Sequence, residues 1–188
     1  MVRIPTAPPP VKSSTRRTPA NSDEPFIVPF TIQFDRRERT GGWTFDGLIG
    51  DSRQKYRPLV VPTQEIHMLT ADYTVADFDV YIERKSHSDF IGSLGGGHAN
   101  LQAEFERMQT IIESGGHCCM VVESSLDKIM EELESPTSAR KLEPSSVLGM
   151  LATWPRRYGV PIHFAGSRRL AELLAYRIMA KYVEDWTA

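Results

Sequence analysis

Cysteine is almost absent. The 188 residues contain two, Cys118 and Cys119, and these are adjacent in CCMVV. Neighbours on a strand face opposite ways, so the pair reads as two buried small hydrophobes, not a disulfide or a zinc site, and that usage fits a reducing compartment. Long apolar runs are missing too. No stretch approaches the roughly 18 residues that a membrane span needs. The start, MVRIPTAPPPVKSSTRRTPANSDEP, lacks the apolar block of a secretory leader. Nor is there an excess of positive charge: the formal net charge is −2, so any binding of a polyanion must rest on a local patch and on metal. What is present, 40% hydrophobic and 24% charged residues, suits one globular domain with a proper core.

Residues 1–25 are rich in Pro, Ser, Thr and Arg without apolar period and read as a disordered tail; the domain is expected over 26–188. Arg16 and Arg17 are either solvated or a contact to phosphate. In FIVPFTIQF, Phe30, Ile32 and Phe34 alternate with polar residues, a half-buried strand that delivers Asp35 at its end. A glycine-rich connection with a short helical piece follows. VVPTQEIHMLTADYTV is strand-like toward its end, and VYIERK is another strand. LQAEFERMQTIIE places Leu101, Phe105, Met108 and Ile112 at helical spacing. HCCMVVES fits a strand buried on both faces. LDKIMEELE is helical, SSVLGMLATW is a helix expected to stop near Pro155, VPIHFAGS is a strand, and a long amphipathic helix closes the chain. Strands alternating with helices predict an α/β domain: a mixed central sheet, largely parallel with an antiparallel hairpin at one side, and helices on both faces.

The hairpin concentrates charge. TADYTV and VYIERK flank ADFD, a turn-prone stretch, and an even-length loop centred between Asp77 and Phe78 sets Asp72 opposite Glu83, with Cβ atoms roughly 4.5–5.5 Å apart. Facing carboxylates are unfavourable, and a divalent cation between them removes the repulsion. Strand parity puts Lys85 on the same face as Glu83. Two carboxylates and an ammonium at a strand end suit phosphodiester hydrolysis, because Mg²⁺ takes one or two carboxylates plus waters and phosphate oxygens. Asp35 supplies a further ligand or an outer carboxylate, and Lys85 orients water or neutralises the phosphate. By itself, an acid followed by acid-x-Lys also fits solvated salt bridges.

The run LTADYTV…VYIERKSHSDFIGSL resembles the signature of the XPF-type structure-specific endonucleases, which include the archaeal Hef nucleases. That pattern is Gly-Asp, a variable hairpin, Glu-Arg-Lys, three residues and Asp; here it reads Asp72, Glu83, Arg84, Lys85 and Asp89. FDRRE at 34–38, with Arg37 and Glu38, resembles the family's early Asp-x-Arg-Glu element. The resemblance runs from about residue 28 to the end and implies a restriction-endonuclease-like fold, with metal bound by Asp72 and Glu83, Asp35 assisting, and Mg²⁺ or Mn²⁺ as cofactor. Arg84 faces away from Glu83, its side chain pairing with Asp89 or a phosphate. Asp89 is either part of the catalytic network or an acid at a helix N-terminus. Ala71 stands where the family's glycine is usual, and if that position needs positive φ the turn is strained. GGW at 41–43 departs from the helix expected there. The chain also ends without a tandem helix-hairpin-helix module, so a homodimer or a partner protein is expected to supply extra grip on DNA.

Beyond the motif, Gly95–Gly97 precede a helix whose amides could approach a phosphate. Arg37, His98 and Gln102 are the candidate DNA contacts. Arg156, Arg157, Arg168 and Arg169 form either a basic rim or solvated helix ends, and His163 reads as a satisfied sheet residue. The leading expectation is a metal-dependent endonuclease acting on branched or damaged DNA in repair, recombination or genome processing. The alternatives are a restriction- or resolvase-like nuclease without branch preference, or a catalytically silent DNA-binding or scaffolding subunit. The expected location is cytoplasmic, nucleoid-associated in a bacterium or phage, or nuclear in a eukaryote.

Overall fold

A computed structural model describes residues 24–135 and 142–187. Most of the expected tail and part of the polar loop after residue 134 lie outside the described residues. The order is β1 (Phe26–Ile27), β2 (Ile32–Asp35), a 3-10 turn (Arg36–Arg39), β3 (Leu59–Val60), β4 (Thr63–Ile66), β5 (Tyr73–Val75), β6 (Phe78–Lys85), α1 (His87–Leu94), α2 (His98–Glu113), β7 (His117–Val122), α3 (Leu126–Glu134), α4 (Pro144–Tyr158), β8 (Ile162–Phe164) and α5 (Arg168–Thr187). Six strands form one mixed sheet in the order β4-β2-β5-β6-β7-β8, with β5 antiparallel to both neighbours and β6, β7 and β8 parallel. β1 and β3 make a separate two-stranded parallel ribbon.

Strand parity sorts the core into two halves, one on each face of the sheet. Val80, Ile82, Cys119 and Val121 pack under α5 with Ala171, Ala175, Tyr176 and Met179. Cys118, Met120 and Val122 point the other way, into Phe90, Ile91, Leu101, Phe105 and Met108 of α1 and α2, and α3 and α4 complete that side. The two cysteines thus diverge, both free and fully buried, and burial pushes both thiols up to about 12.

Three elements differ from expectation. α4 does not stop at Pro155 but runs to Tyr158 and ends at Gly159, whose φ of 72° gives the left-handed cap. Proline removes one backbone donor, yet Trp154 and Tyr158 on either side of it are buried against Phe105, at 5.0 and 5.6 Å between ring centroids, and hold the last turn. β4 lies at the sheet edge with TQEI largely exposed, so it shows no alternation, and pairing with β2 alone defines it. The connection after the 3-10 turn is packed, with Trp43, Phe45 and Leu48 buried. Glu172 of α5 accepts the Thr44 and Phe45 amides at 3.0 and 2.6 Å. Arg168 donates to the Gly41 and Gly42 carbonyls and Arg169 to those of Asp46 and Gly47, so this half of the expected basic rim clamps the loop.

Candidate active site

Register brings three carboxylates abreast. Phe34 pairs with Tyr73, and Tyr73 with Ile82. One step further along, the Asp35 amide donates to the Asp72 carbonyl at 2.9 Å and the Asp72 amide to the Ile82 carbonyl at 3.0 Å. Asp35, Asp72 and Glu83 therefore form one row across the ends of β2, β5 and β6. Ala71, just before Asp72, has φ of 62°. Alanine tolerates that left-handed geometry poorly, which is the physical reason a glycine suits this position. Ala71→Gly is expected to raise stability by roughly 0.5–1 kcal/mol, net of the small lost burial, as measured by urea denaturation.

The row's three acids are not equivalent. Asp35 is fully buried and its carboxylate is already engaged. Oδ1 accepts from the Arg37 amide at 2.8 Å and Arg37 Nε at 2.6 Å, and Oδ2 accepts from the Met68 amide at 2.6 Å. Burial pushes this carboxyl up, but those donors outweigh it and hold it at about 2. The geometry makes Asp35 the cap of the 3-10 turn and an anchor for residue 68. Of the two expected places for Asp35, a further ligand or an outer carboxylate, these protein donors favour the outer one. Arg37, whose side chain is 62% exposed, is tied into the same cap by its Nε.

Asp72 and Glu83 behave differently. Asp72 accepts one hydrogen bond, from the Arg84 amide at 2.9 Å. Burial and the adjacent Glu83 charge push its carboxyl up to about 8. Glu83 is buried, and that burial pushes its carboxyl up against the pull of Lys85, while Glu104 adds repulsion. Lys85 Nζ lies 2.8 Å from Glu83 Oε1 and 2.8 Å from Glu104 Oε2. Burial works against the ammonium, but the two carboxylates hold its pKa above the ordinary lysine value. Lys85 is a fixed cation, not a base.

Arg84 points to the opposite face, and its partners correct the expected pairing with Asp89. Nε and Nη2 reach the two oxygens of Glu123 at 2.8 and 3.2 Å, and Nη1 reaches Glu38 at 2.9 Å. Trp43 lies over the guanidinium at 5.9 Å and donates its Nε1–H to Glu123 at 2.7 Å. Gly42 is required here, because a Cβ would sit 2.7 Å from the Tyr73 hydroxyl and still closer to the Glu38 carbonyl. Asp89 is in α1's first turn, exposed: Ser86 donates its hydroxyl to Asp89 Oδ2 at 2.6 Å and accepts the Asp89 amide at 3.2 Å. That reciprocal pair is a capping arrangement, outside the acidic row. His98 stacks edge-on against Trp154 at 5.1 Å, and Gln102 donates to Glu106 at 2.9 Å. Neither bonds to the row.

Glu104 was not anticipated. It occupies the sheet-facing side of α2 beside the fully buried Leu101, Phe105 and Met108. An acid bordering an apolar stripe was the available signal. Glu123, directly after β7, carried no such signal, since acids commonly follow strands.

The facing acids fix a pH dependence. In the metal-free protein the unfolded chain ionises Asp72 near pH 4, whereas the folded protein, with Glu83, Glu38 and Lys85 around the group, keeps its proton to about 8. Between these limits the folded state binds more protons, so stability falls as pH rises from about 4 to about 8. Asp72→Asn is expected to flatten that slope in denaturation curves taken across the window. Asp35 acts with opposite sign lower down: its contribution is present above pH 4 and is lost as pH falls toward about 2.

A model of the ERCC4 domain matches residues 35–176. The chain belongs to the ERCC4 domain family. No curated protein matches it in sequence. Among solved structures, XPF from Aeropyrum pernix is similar at a TM-score of 0.53 with 19% identity, covering 79% of this chain and 59% of that one. The same protein in complex with DNA is similar at 0.57 with 16% identity, covering 83% of this chain and 66% of that one. The chain thus spans less than two thirds of either relative. The mixed sheet with helices on both faces is the fold of an XPF-type nuclease domain, as the motif implied.

In this ERCC4 domain, the site suits a hard divalent ion with an open shell. Burial raises the pKa of both Asp72 and Glu83, and the Glu83 charge raises Asp72 further, so a bound cation would favour the ionised form of each. Magnesium and manganese accept one or two carboxylates and fill the remaining positions with water and phosphate oxygens. Among the described residues, no group of three or more His, Cys, Asp or Glu side chains is placed to hold a metal ion, so the candidate donors are the Asp72 and Glu83 carboxylates alone. The donor set therefore fits Mg²⁺ or Mn²⁺ and does not fit a four-ligand zinc site.

Proposed function

We propose that this ERCC4 domain is a metal-dependent DNA endonuclease that acts on branched or damaged DNA. The observation that carries the reading is the set of buried Glu83 and partly buried Asp72 and Lys85, with Lys85 Nζ 2.8 Å from Glu83. Asp72 and Glu83 would hold Mg²⁺ or Mn²⁺, which when bound polarises the scissile phosphate and lowers the pKa of water. The chain's own residues supply the remainder. The Arg84 amide fixes Asp72, and Glu104 and Glu83 fix the Lys85 ammonium. From that position Lys85 offsets the negative charge that grows on the phosphate as the P–O bond breaks. DNA is the partner, and the similarity to XPF from Aeropyrum pernix in complex with DNA supports that choice. Repair, recombination or genome processing is the proposed setting.

The test has two arms. Mg²⁺ or Mn²⁺ should raise the melting temperature of the wild type and leave that of Asp72→Asn unchanged, since only a protein that binds metal when folded is stabilised by it. Purified protein should nick forked or flapped DNA with either metal, and faster than linear duplex. An absence of both metal stabilisation and cleavage rejects the proposal; equal cutting of linear and branched DNA selects the reading without branch preference.

A further inference from the structure

The same register that aligns the acidic row aligns a second row one repeat further into the sheet. Gln64 pairs with Gln33, Gln33 with Thr74 and Thr74 with Tyr81. Parity puts Thr74 and Tyr81 on the face that carries Asp72 and Glu83, displaced by two residues, or about 6.6 Å. α1 and α2 cover β6 and β7, and the neighbouring strands on this face are left open. The result is a cavity of about 460 Å³ floored by Gln33, Thr74 and Tyr81, with Ile111 of α2 on one side and Met68 and Leu69 on the other.

Its chemistry is selective. No lysine or arginine lines it, and its far end carries Asp77 and Asp79, so a phosphate is disfavoured there. The Thr74 hydroxyl is buried and donates to the Phe78 carbonyl, and Gln33 Nε2 donates to Gln64, which leaves the Gln33 amide oxygen as acceptor. That acceptor, an aromatic ring and apolar walls offer what a neutral heterocycle needs, a surface to stack on and a hydrogen bond for its edge. Leu69 is 84% exposed, an apolar side chain left in solvent at the mouth. The offset between the rows is close to the reach of one extended nucleotide.

We propose that this cavity is a nucleobase subsite, which takes one unpaired base of the DNA strand adjacent to the phosphate held at Asp72 and Glu83. It rests on the nuclease reading and deepens it: an unpaired base is free to enter only where the duplex is interrupted, so the cavity gives the domain a physical means of preferring junctions and flaps over continuous duplex.

The experiment uses the whole chain with Ca²⁺ in place of Mg²⁺, so that binding is read without turnover. Forks with one unpaired nucleotide at the branch are compared with identical forks bearing an abasic sugar there. Wild type should bind the base-bearing fork about tenfold more tightly. Leu69→Ala combined with Gln33→Ala, two positions outside the buried core, should bring that ratio close to one while continuing to nick duplex DNA in Mg²⁺. Equal binding of both forks by wild type overturns the subsite even if cleavage persists. A preference retained in full by the double variant also overturns it, since the base then lies elsewhere. Failure of the nuclease reading looks different: no DNA is cut, with or without the substitutions.

Discussion

Glu83→Gln is expected to lower the proposed DNA cleavage by about a hundred- to a thousandfold and at the same time to raise the thermal stability of the metal-free protein at neutral pH. The size of the loss is that expected when one preorganised charged group is withdrawn from a transition state. The accompanying gain follows from the raised carboxyl of Glu83. A buried acid whose folded pKa lies above its unfolded value opposes folding once it ionises, so its neutral isostere removes that opposition. Glutamine retains an oxygen for Lys85, and Glu104 still pairs with the ammonium at 2.8 Å, so the lysine is not stranded. Opposite signs in the two measurements identify a functional group, because a merely structural one loses activity and stability together. Melting curves without metal and single-turnover cleavage with Mg²⁺ check it. Cleavage within a few-fold of wild type rejects the assignment of Glu83, whatever the melting curve does.

The parts of this site legible in the sequence are those that strand geometry dictates. Two-residue periodicity puts Glu83 and Lys85 on one face and Arg84 on the other, and their partners lie on opposite sides of the sheet accordingly. The turn is centred one residue earlier than expected, with Val75 opposite Phe78, and a bulge between Thr74 and Val75 shifts the ladder so that Tyr73 pairs with Ile82, as an opposed Asp72 and Glu83 require. Cys118 and Cys119 diverge into separate halves of the core for the same reason. What sequence reasoning missed depends on contacts distant in the chain. Glu104 reaches Lys85 only because α2 crosses β7 and turns that side of the helix toward β6. Which of its two expected places Asp35 takes, ligand or outer carboxylate, also depends on such contacts, because the Arg37 side chain folds back onto it and the Met68 amide arrives from a later loop. Pro155 misled because local propensity was outweighed by tertiary packing of Trp154 and Tyr158.

Arg84→Ala costs about 3–5 kcal/mol of folding stability, the largest effect expected of any single substitution on the side of the sheet away from the acidic pair. The guanidinium is 13% exposed and is the cation shared by Glu38 and Glu123, whose side chains are 16% and 8% exposed. Burial works against the Arg84 charge, yet Glu123 and Glu38 raise its pKa above the ordinary guanidinium value. Removing the side chain leaves two partly buried carboxylates around an emptied space. Arg168, 3.6 Å from Glu123, is half exposed and already engaged with the Gly41 and Gly42 carbonyls, so it compensates weakly. Trp43 also loses the cation beneath its ring, which loosens the GGW loop against Tyr73. Lysine is a poor replacement, because one ammonium cannot present the planar fork that spans both acids. Urea denaturation of Arg84→Ala and of the triple variant Arg84→Ala, Glu38→Gln, Glu123→Gln separates the causes. Neutralising both acids should recover a substantial part of the loss, since uncompensated charge is its main component. A loss below about 1 kcal/mol for Arg84→Ala, or no recovery in the triple variant, shows that packing and not charge holds this face together.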